Sequence, residues 1–211
     1  MKWLFAPPSL DDLIRLLKAW RFWVLCALVG ALIGAGVYSS APPLYRARAT
    51  VNVDFNLEQA WPQETDRQQF YYLEREARKL EEIAWSDTVM QAIADLDGKV
   101  TVNELRDDKL QLGQPAEAGW HFYADDQDSR RAAALASAWA QAFVEQARES
   151  IKNSSGLNSF IQIEITQAAN LPVGRSLSLS VYLIAGTAAF LFLGAICFLF
   201  FDFGSWKKNT E

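Results

Sequence analysis

The stretch SLSLSVYLIAGTAAFLFLGAICFLFF, residues 176–201, has no charged residue between Arg175 and Asp202 and is apolar nearly throughout. Its densest part, Val181 to Phe201, has 21 residues, and at about 1.5 Å of rise per residue it is roughly 31 Å long, close to a ~30 Å hydrocarbon core. The pattern predicts a transmembrane helix over 176–201. A second apolar run covers residues 22–41. Two such helices would place both termini on one side of a membrane and residues 42–175 on the other.

The distribution of charge along the chain predicts which side of the membrane the termini and the central domain occupy. Residues 41–177 carry 14 Lys and Arg against 21 Asp and Glu, whereas the two ends carry six basic and four acidic residues. Short flanks rich in Lys and Arg stay in the cytoplasm, and Arg15, Lys18, Arg21, Lys207 and Lys208 flank the two apolar runs. We therefore expect both termini to be cytoplasmic and an acidic domain to face outward. An acidic outer domain disfavours binding to nucleic acid, which requires concentrated positive charge.

The two cysteines, Cys26 and Cys197, both fall within the apolar runs. The outer domain is therefore expected to fold without disulfides, and both thiols are interpreted as small apolar side chains. The first apolar run is longer than the core of a cleaved signal peptide, so we expect it to be retained.

Residues 1–21 are expected to form a cytoplasmic amphipathic segment. Ser9 is a suitable N-cap, and apolar residues recur on one face of 9–20 while Arg15 and Lys18 point away. The pattern favours a helix on the inner membrane surface, with a plain cytosolic extension of the first transmembrane helix as the alternative. Residues 202–211 would form a short cytoplasmic tail.

Small residues mark candidate packing faces on both apolar runs. Gly30 and Gly34 lie beside alanines at four-residue steps in the first run, and Gly186 and Gly194 lie two turns apart in the second, which also offers Ala185 with Ala189. Such spacing lets helix backbones approach closely. We expect these glycines to contact a partner helix, and replacing Gly186 and Gly194 by Leu to disturb assembly or partner binding.

The region between the two runs predicts an α+β domain. Alternation of apolar and polar residues predicts strands at 45–55 and 160–165, and two more around a Gly/Pro loop within 109–124. Three- and four-residue periodicity predicts helices from Asp66 to about Trp85, after Ser86 or Asp87, and from Ser129 to about Ile151. The first strand follows one apolar run and the last strand precedes the other. We expect these two strands to pair in a small sheet, with the helices packed on it.

Apolar residues fall on one side of several predicted helices and strands. In the first helix Phe70, Leu73, Ala77, Leu80 and Ala84 recur at three- and four-residue steps, and in the second Val89, Ile93 and Leu96 line one side. Ile161, Ile163 and Ile165 share one face of the last strand. In the third helix a ridge from Leu135 to Ile151 belongs in the core. A strip of Ala132, Ala136 and Ala140 is either helix-forming filler or a contact with a neighbouring subunit.

Catalytic and metal-binding patterns are missing from the sequence. It contains no nucleotide-binding glycine loop, no GxSxG, no HExxH and no CxxC. The acidic run Asp125–Asp128 precedes a predicted helix, where negative charge is stabilising, and His121 is the only histidine. We therefore expect no catalytic, cofactor-binding or metal-binding residues, and no enzyme.

Several segments resemble the polysaccharide chain-length determinant family, the Wzz-like polysaccharide co-polymerases. They are LDDLIRLLKAWRFW before the first apolar run, PPLYRARATVNV after it, VNELRDDKLQLG, WHFYADDQDSRRAAALASAWAQAFVE, and QAANLPVGRS before the second run. In that family an N-terminal strand, a mixed domain and a proline-bearing segment before the second transmembrane helix occur in this order. Pro172 matches that proline. The resemblance implies that Pro172 sets how the chain enters the second transmembrane helix.

The resemblance implies a short, non-enzymatic, homo-oligomeric protein of the bacterial inner membrane with a periplasmic central domain. It would regulate the chain length or assembly of a lipid-linked surface polysaccharide together with a membrane polymerase. The alternative is a membrane adaptor that activates a separate cytoplasmic tyrosine kinase in capsule or exopolysaccharide export. A third possibility is an extracytoplasmic sensor or accessory subunit of a larger membrane complex.

Overall fold

The computed structural model describes residues 20–60, 66–98, 100–116, 119–153 and 156–206. The chain divides into two compact units, one made of its two ends up to Pro43 and from Leu177, the other of Leu44–Ser176. The amphipathic helix predicted at 9–20 lies almost entirely outside the described residues, as do Lys207 and Lys208.

The first unit consists of two apolar helices, α1 (Trp20–Ser40) and α7 (Leu179–Trp206). Both are long and apolar enough to cross a membrane, and they fit a two-pass membrane protein. They pack against each other, yet most of their apolar surface is open: Leu32 is 72% exposed and Ile184 is 69% exposed. Exposed apolar surface on this scale is unfavourable in water and is expected only against lipid or a protein partner.

The second unit is an α+β domain built on a four-stranded antiparallel sheet in the order β2-β3-β1-β4. The α+β class and the small sheet confirm the sequence prediction. The strands are β1 (Tyr45–Asp54), β2 (Leu110–Ala116), β3 (Gly119–Asp126) and β4 (Gln162–Gln167). The helices are α2 (Leu57–Ala60), α3 (Asp66–Ala84), α4 (Asp87–Asp97), the single turn α5 (Val102–Glu104) with a π-helical turn at Leu105–Lys109, and α6 (Ser129–Lys152).

The first and last strands pair, as predicted. Val51 is the register partner of Ile165, Val53 that of Ile163, and Asp54 that of Gln162, with a register shift between Thr50 and Val51. The other edge of β1 pairs with β3 from Tyr45 to Val51. The strand that follows the first apolar helix is therefore central in the sheet.

One face of the sheet packs against α6 and forms the core. Ala47, Ala49 and Val51 of β1 are buried there. The aromatic rings of Phe122 and Trp139 meet edge to face at 4.9 Å, and the Trp139 indole N–H donates to the Ala84 carbonyl at 2.9 Å. The alanines of the strip on α6 are also fully buried, so they pack within their own domain rather than on a neighbouring subunit.

Three residues on these predicted faces lie outside the core. Phe70 is 63% exposed and Leu96 is 75% exposed, while Ile165 is about one-third exposed. On α3 the buried face instead includes Glu76, whose charge is paired, and on α4 the buried face is taken by Met90 and Ala94 beside Val89 and Ile93. Periodicity alone did not distinguish these neighbouring faces of the helices.

The helix ends follow the predicted signals. The Ser86 hydroxyl accepts the Val89 N–H at the start of α4, and Gly98 ends it with a left-handed φ of 62°. Thr101 and Glu104 form a capping box at α5. Asp128 caps α6, where its carboxylate accepts the Arg130 N–H at 2.9 Å.

Candidate functional site

The glycines predicted to pack lie where α1 and α7 meet. Gly30 and Gly34 are buried. A Cβ added to Gly30 would overlap the Gly186 carbonyl oxygen, and one added to Gly186 would overlap the Gly30 carbonyl oxygen. The two backbones are therefore in direct contact at this point, and no larger residue fits at either position without separating the helices.

The contact continues in both directions along the helices. A Cβ on Gly34 would overlap the Tyr182 carbonyl oxygen, and a Cβ on Gly194 would lie 2.9 Å from Cys26 Sγ. As residue numbers rise on α1 they fall on α7, so the two helices run antiparallel. Gly36, by contrast, has nothing within 4 Å of such a Cβ.

Two further contacts at this interface were not anticipated from the sequence. The Thr187 hydroxyl donates to the Ala27 carbonyl at 3.4 Å, and the rings of Tyr38 and Tyr182 meet edge to face at 5.4 Å. Thr187 directly follows Gly186 in the sequence, and this position beside a packing glycine could have indicated that Thr187 lies at the interface. The predicted alternative pair, Ala185 with Ala189, is exposed and lies outside this contact.

Pro172 belongs to the other unit and is not part of the glycine contact. It is half-buried in the irregular segment after β4. That segment ends where the Ser176 N–H donates to the Leu44 carbonyl at 2.9 Å and the Arg175 guanidinium lies 4.8 Å over the Tyr45 ring. These contacts hold the two ends of the α+β domain together.

The strongest charge cluster in the α+β domain surrounds Asp126, which is 3% exposed. Its carboxylate accepts Lys109 Nζ at 2.6 Å and the Asp128 N–H at 3.0 Å, with Arg131 Nε 3.8 Å away. Burial alone would raise the pKa of Asp126, but the Asp128 N–H and the Lys109 ammonium together hold the pKa below its usual value. These contacts pair the Asp126 carboxylate with groups of its own domain.

Glu76 is paired in the same manner on α3. Its carboxylate lies 2.9 Å from Lys79 Nζ and 3.1 Å from Arg75 Nε, and it accepts the Asn158 N–H at 3.3 Å. Lys79 also donates to the Gly156 carbonyl. The cluster joins α3 to the loop before β4.

His121 lies on the side of β3 that faces away from α6, half-buried, with its Nδ1 3.3 Å from the Thr50 hydroxyl. Burial lowers its pKa, and the nearby Arg48 lowers it further. Across the described ranges, no three His, Cys, Asp or Glu side chains are arranged to hold a metal ion.

No family model matches this chain, and no curated protein matches it.

Proposed function

We propose that this protein is a non-enzymatic polysaccharide co-polymerase of the bacterial inner membrane. In this proposal it crosses the membrane twice, exposes the α+β domain to the periplasm, and assembles as a homo-oligomer beside a polymerase that extends a lipid-linked surface glycan. It regulates the length or assembly of that glycan by scaffolding.

One observation carries the proposal: β1 and β4, the strands next to the two apolar helices, pair with each other and close the domain. The pairing was expected from the positions of the two strands next to the apolar runs, and it is compatible with the order that the resemblance implies, an N-terminal strand after the first transmembrane helix and a proline-bearing segment before the second. The Ser176–Leu44 backbone bond reinforces the closure. A domain whose first and last strands are hydrogen-bonded to each other is suited to act as a rigid body in an oligomer.

The charge distribution supports the membrane orientation. The basic residues Arg15, Lys18 and Arg21 before α1, and Lys207 and Lys208 after α7, favour a cytoplasmic location for both ends. The buried carboxylates Glu76 and Asp126 support a scaffolding role, because each is engaged by basic side chains and backbone N–H groups of its own domain.

The test is to delete the gene and to size the surface glycans on a gel. We expect the length distribution to change, and to be restored by the wild-type gene and by the control Gly36→Leu. Gly34→Leu, which would drive a side chain into the Tyr182 backbone, should restore it poorly. An unchanged distribution in the deletion strain would refute length control.

A pull-down with the cytoplasmic ends separates this proposal from the adaptor alternative. Retention of a tyrosine kinase, together with an unchanged glycan length in the deletion strain, would favour the adaptor. Co-purification of a membrane polymerase with the full chain would favour the co-polymerase.

A further inference from the structure

The sheet has a second face, opposite α6, that is polar and partly open. The register pairs Arg46 with Asp125, Arg48 with Tyr123, and Thr50 with His121, so these six side chains share this face. Gln111 and Gly113 of β2 continue it beyond β3. Arg46, Arg48 and Gln111 are exposed there, and Tyr123 and His121 are half-buried. We call this surface the open sheet face.

Tyr123 forms a fixed aromatic platform on the open sheet face. Its ring carbon Cε2 lies 2.9 Å from where a Cβ of Gly113 would be, so the ring rests against the β2 backbone at a residue without a side chain. The Arg46 guanidinium lies 5.8 Å from the ring centroid on one side, and the His121 ring meets it edge-on at 6.1 Å. A ring held on three sides loses little conformational freedom when a ligand stacks on it.

Around Tyr123 the charge of this face comes from Arg48, while the exposed carboxylates Asp54 and Glu164 lie further along β1 and β4 on the same side of the sheet. Arg46 is neutralised by Asp125 through two bonds, Nε to Oδ1 at 2.8 Å and a terminal nitrogen to Oδ2 at 2.6 Å. Arg48 is exposed and, within the described ranges, has no carboxylate at ion-pair distance. His121 adds no charge near neutral pH, since burial and then Arg48 itself lower its pKa. Next to the Tyr123 ring the face therefore presents a guanidinium that has no carboxylate partner among the described residues.

We propose that the open sheet face binds an acidic saccharide unit, with the sugar ring stacked on Tyr123 and its carboxylate paired with Arg48. A guanidinium is a fork of donors that matches a carboxylate, and the exposed Gln111 amide supplies a further hydrogen-bonding group nearby. The choice of a glycan as ligand rests on the proposed function.

A protein partner is disfavoured by the composition of the face. The α+β domain exposes large apolar side chains on α3 and α4 (Phe70, Tyr71, Leu96), on β4 (Ile165) and in the segments before and after β4 (Phe160, Leu171, Val173), but none of these belongs to the open sheet face. Protein interfaces are usually centred on such apolar anchors. The open sheet face instead combines a single half-buried ring with polar groups, which is better matched to a sugar.

The test uses the full chain in nanodiscs of phosphatidylcholine, with tetragalacturonate as the acidic probe, maltotetraose as its neutral counterpart, and inorganic phosphate as a competitor. We expect calorimetry to detect tetragalacturonate binding and to find maltotetraose at least tenfold weaker. Arg48→Gln and Tyr123→Leu should each weaken binding of the acidic probe by about tenfold, because each removes one anchoring contact. Arg130→Gln, a change of an exposed arginine on α6, should leave it unchanged.

The outcomes that overturn the proposal are distinct. They are absence of tetragalacturonate binding, equal binding of maltotetraose, displacement by phosphate at equal concentration, or an Arg130→Gln effect as large as that of Arg48→Gln. If Tyr123→Leu fails to fold, Arg48→Gln decides the matter, since it alters only an exposed side chain. The binding measurement involves no polymerase, so absence of binding would not decide the deletion test of the proposed function. Likewise, an unchanged glycan length in the deletion strain would not decide whether the open sheet face binds an acidic saccharide.

Discussion

Asp126 illustrates what single residues contribute to this fold. A buried carboxylate is stable only when charge and hydrogen bonds compensate for lost hydration. Asp126 has an ammonium at 2.6 Å and a backbone N–H at 3.0 Å. It thereby joins the end of β3 to the start of β2 and to the turn before α6.

The lowered pKa of Asp126 predicts a pH dependence of stability. Because the folded state holds the pKa below its usual value, the ionised carboxylate stabilises the fold above about pH 4, and this contribution is lost as the pH falls through the folded-state pKa. Asp126→Asn should therefore lower the free energy of unfolding at pH 7 by about 2–4 kcal/mol, since it leaves Lys109 without a charged partner. In the variant, the free energy of unfolding should also fall less steeply as the pH is lowered. Urea unfolding followed by tryptophan fluorescence between pH 3 and pH 7 measures both effects.

Asp107→Asn is the matched control, since Asp107 is an exposed carboxylate and should change the free energy of unfolding by less than about 0.5 kcal/mol. Wild-type stability of Asp126→Asn at pH 7 would contradict the assignment.

At the scale of elements, the antiparallel contact of α1 and α7 makes a prediction that needs no functional assay. Cys26 Sγ lies 2.9 Å from where a Cβ of Gly194 would be, which is close enough for a disulfide after a small adjustment. Gly194→Cys, in a Cys197→Ser background, should form a disulfide with Cys26 under mild oxidation. Mass spectrometry of non-reduced peptides detects the cross-link.

The control is Gly36→Cys in the same background. No atom, Cys26 Sγ included, lies within 4 Å of a Cβ added to Gly36, so no intramolecular bridge to Cys26 should form. Equal cross-linking of both variants, or none in Gly194→Cys, would show that the helices do not pack in this register.

Elements were more predictable from the sequence than the faces they bury. The strand at Tyr45–Asp54 alternates strictly, and the Ser86 and Gly98 signals marked both ends of α4. Phe70 shares the three- and four-residue spacing of the apolar residues on α3 but is exposed, while the buried side of α3 includes Glu76, whose hydrogen-bond partner Asn158 is distant in sequence. The candidate glycines were visible as a spacing, but their partners across the contact required three-dimensional structure.

At the scale of the whole molecule, the two candidate membrane helices predict a sidedness that can be measured. In a Cys26→Ser, Cys197→Ser background, Gln127→Cys places a thiol at an exposed bend between β3 and α6. A membrane-impermeant maleimide should label it in intact cells, because the positive flanks of the helices favour the opposite side. Labelling is read by mobility shift.

A cysteine added after Glu211 in the same background should react only once the cells are lysed. The reverse pattern, with the added cysteine reactive in intact cells and Gln127→Cys protected, would refute the proposed orientation and with it the periplasmic placement of the α+β domain.

The closure of the α+β domain at Leu44 and Ser176 has a mechanical consequence. Since β1 and β4 are antiparallel and continue toward α1 and α7 from the same end of their pairing, tension that pulls the two helices apart would load the backbone hydrogen bonds one after another. The strands would separate one hydrogen bond at a time, whereas strands pulled in shear would load all their hydrogen bonds together. A low force applied to the two helices should therefore break the Ser176–Leu44 bond and the hydrogen bonds between β1 and β4 first. Disrupting the core around Trp139 should need a higher force.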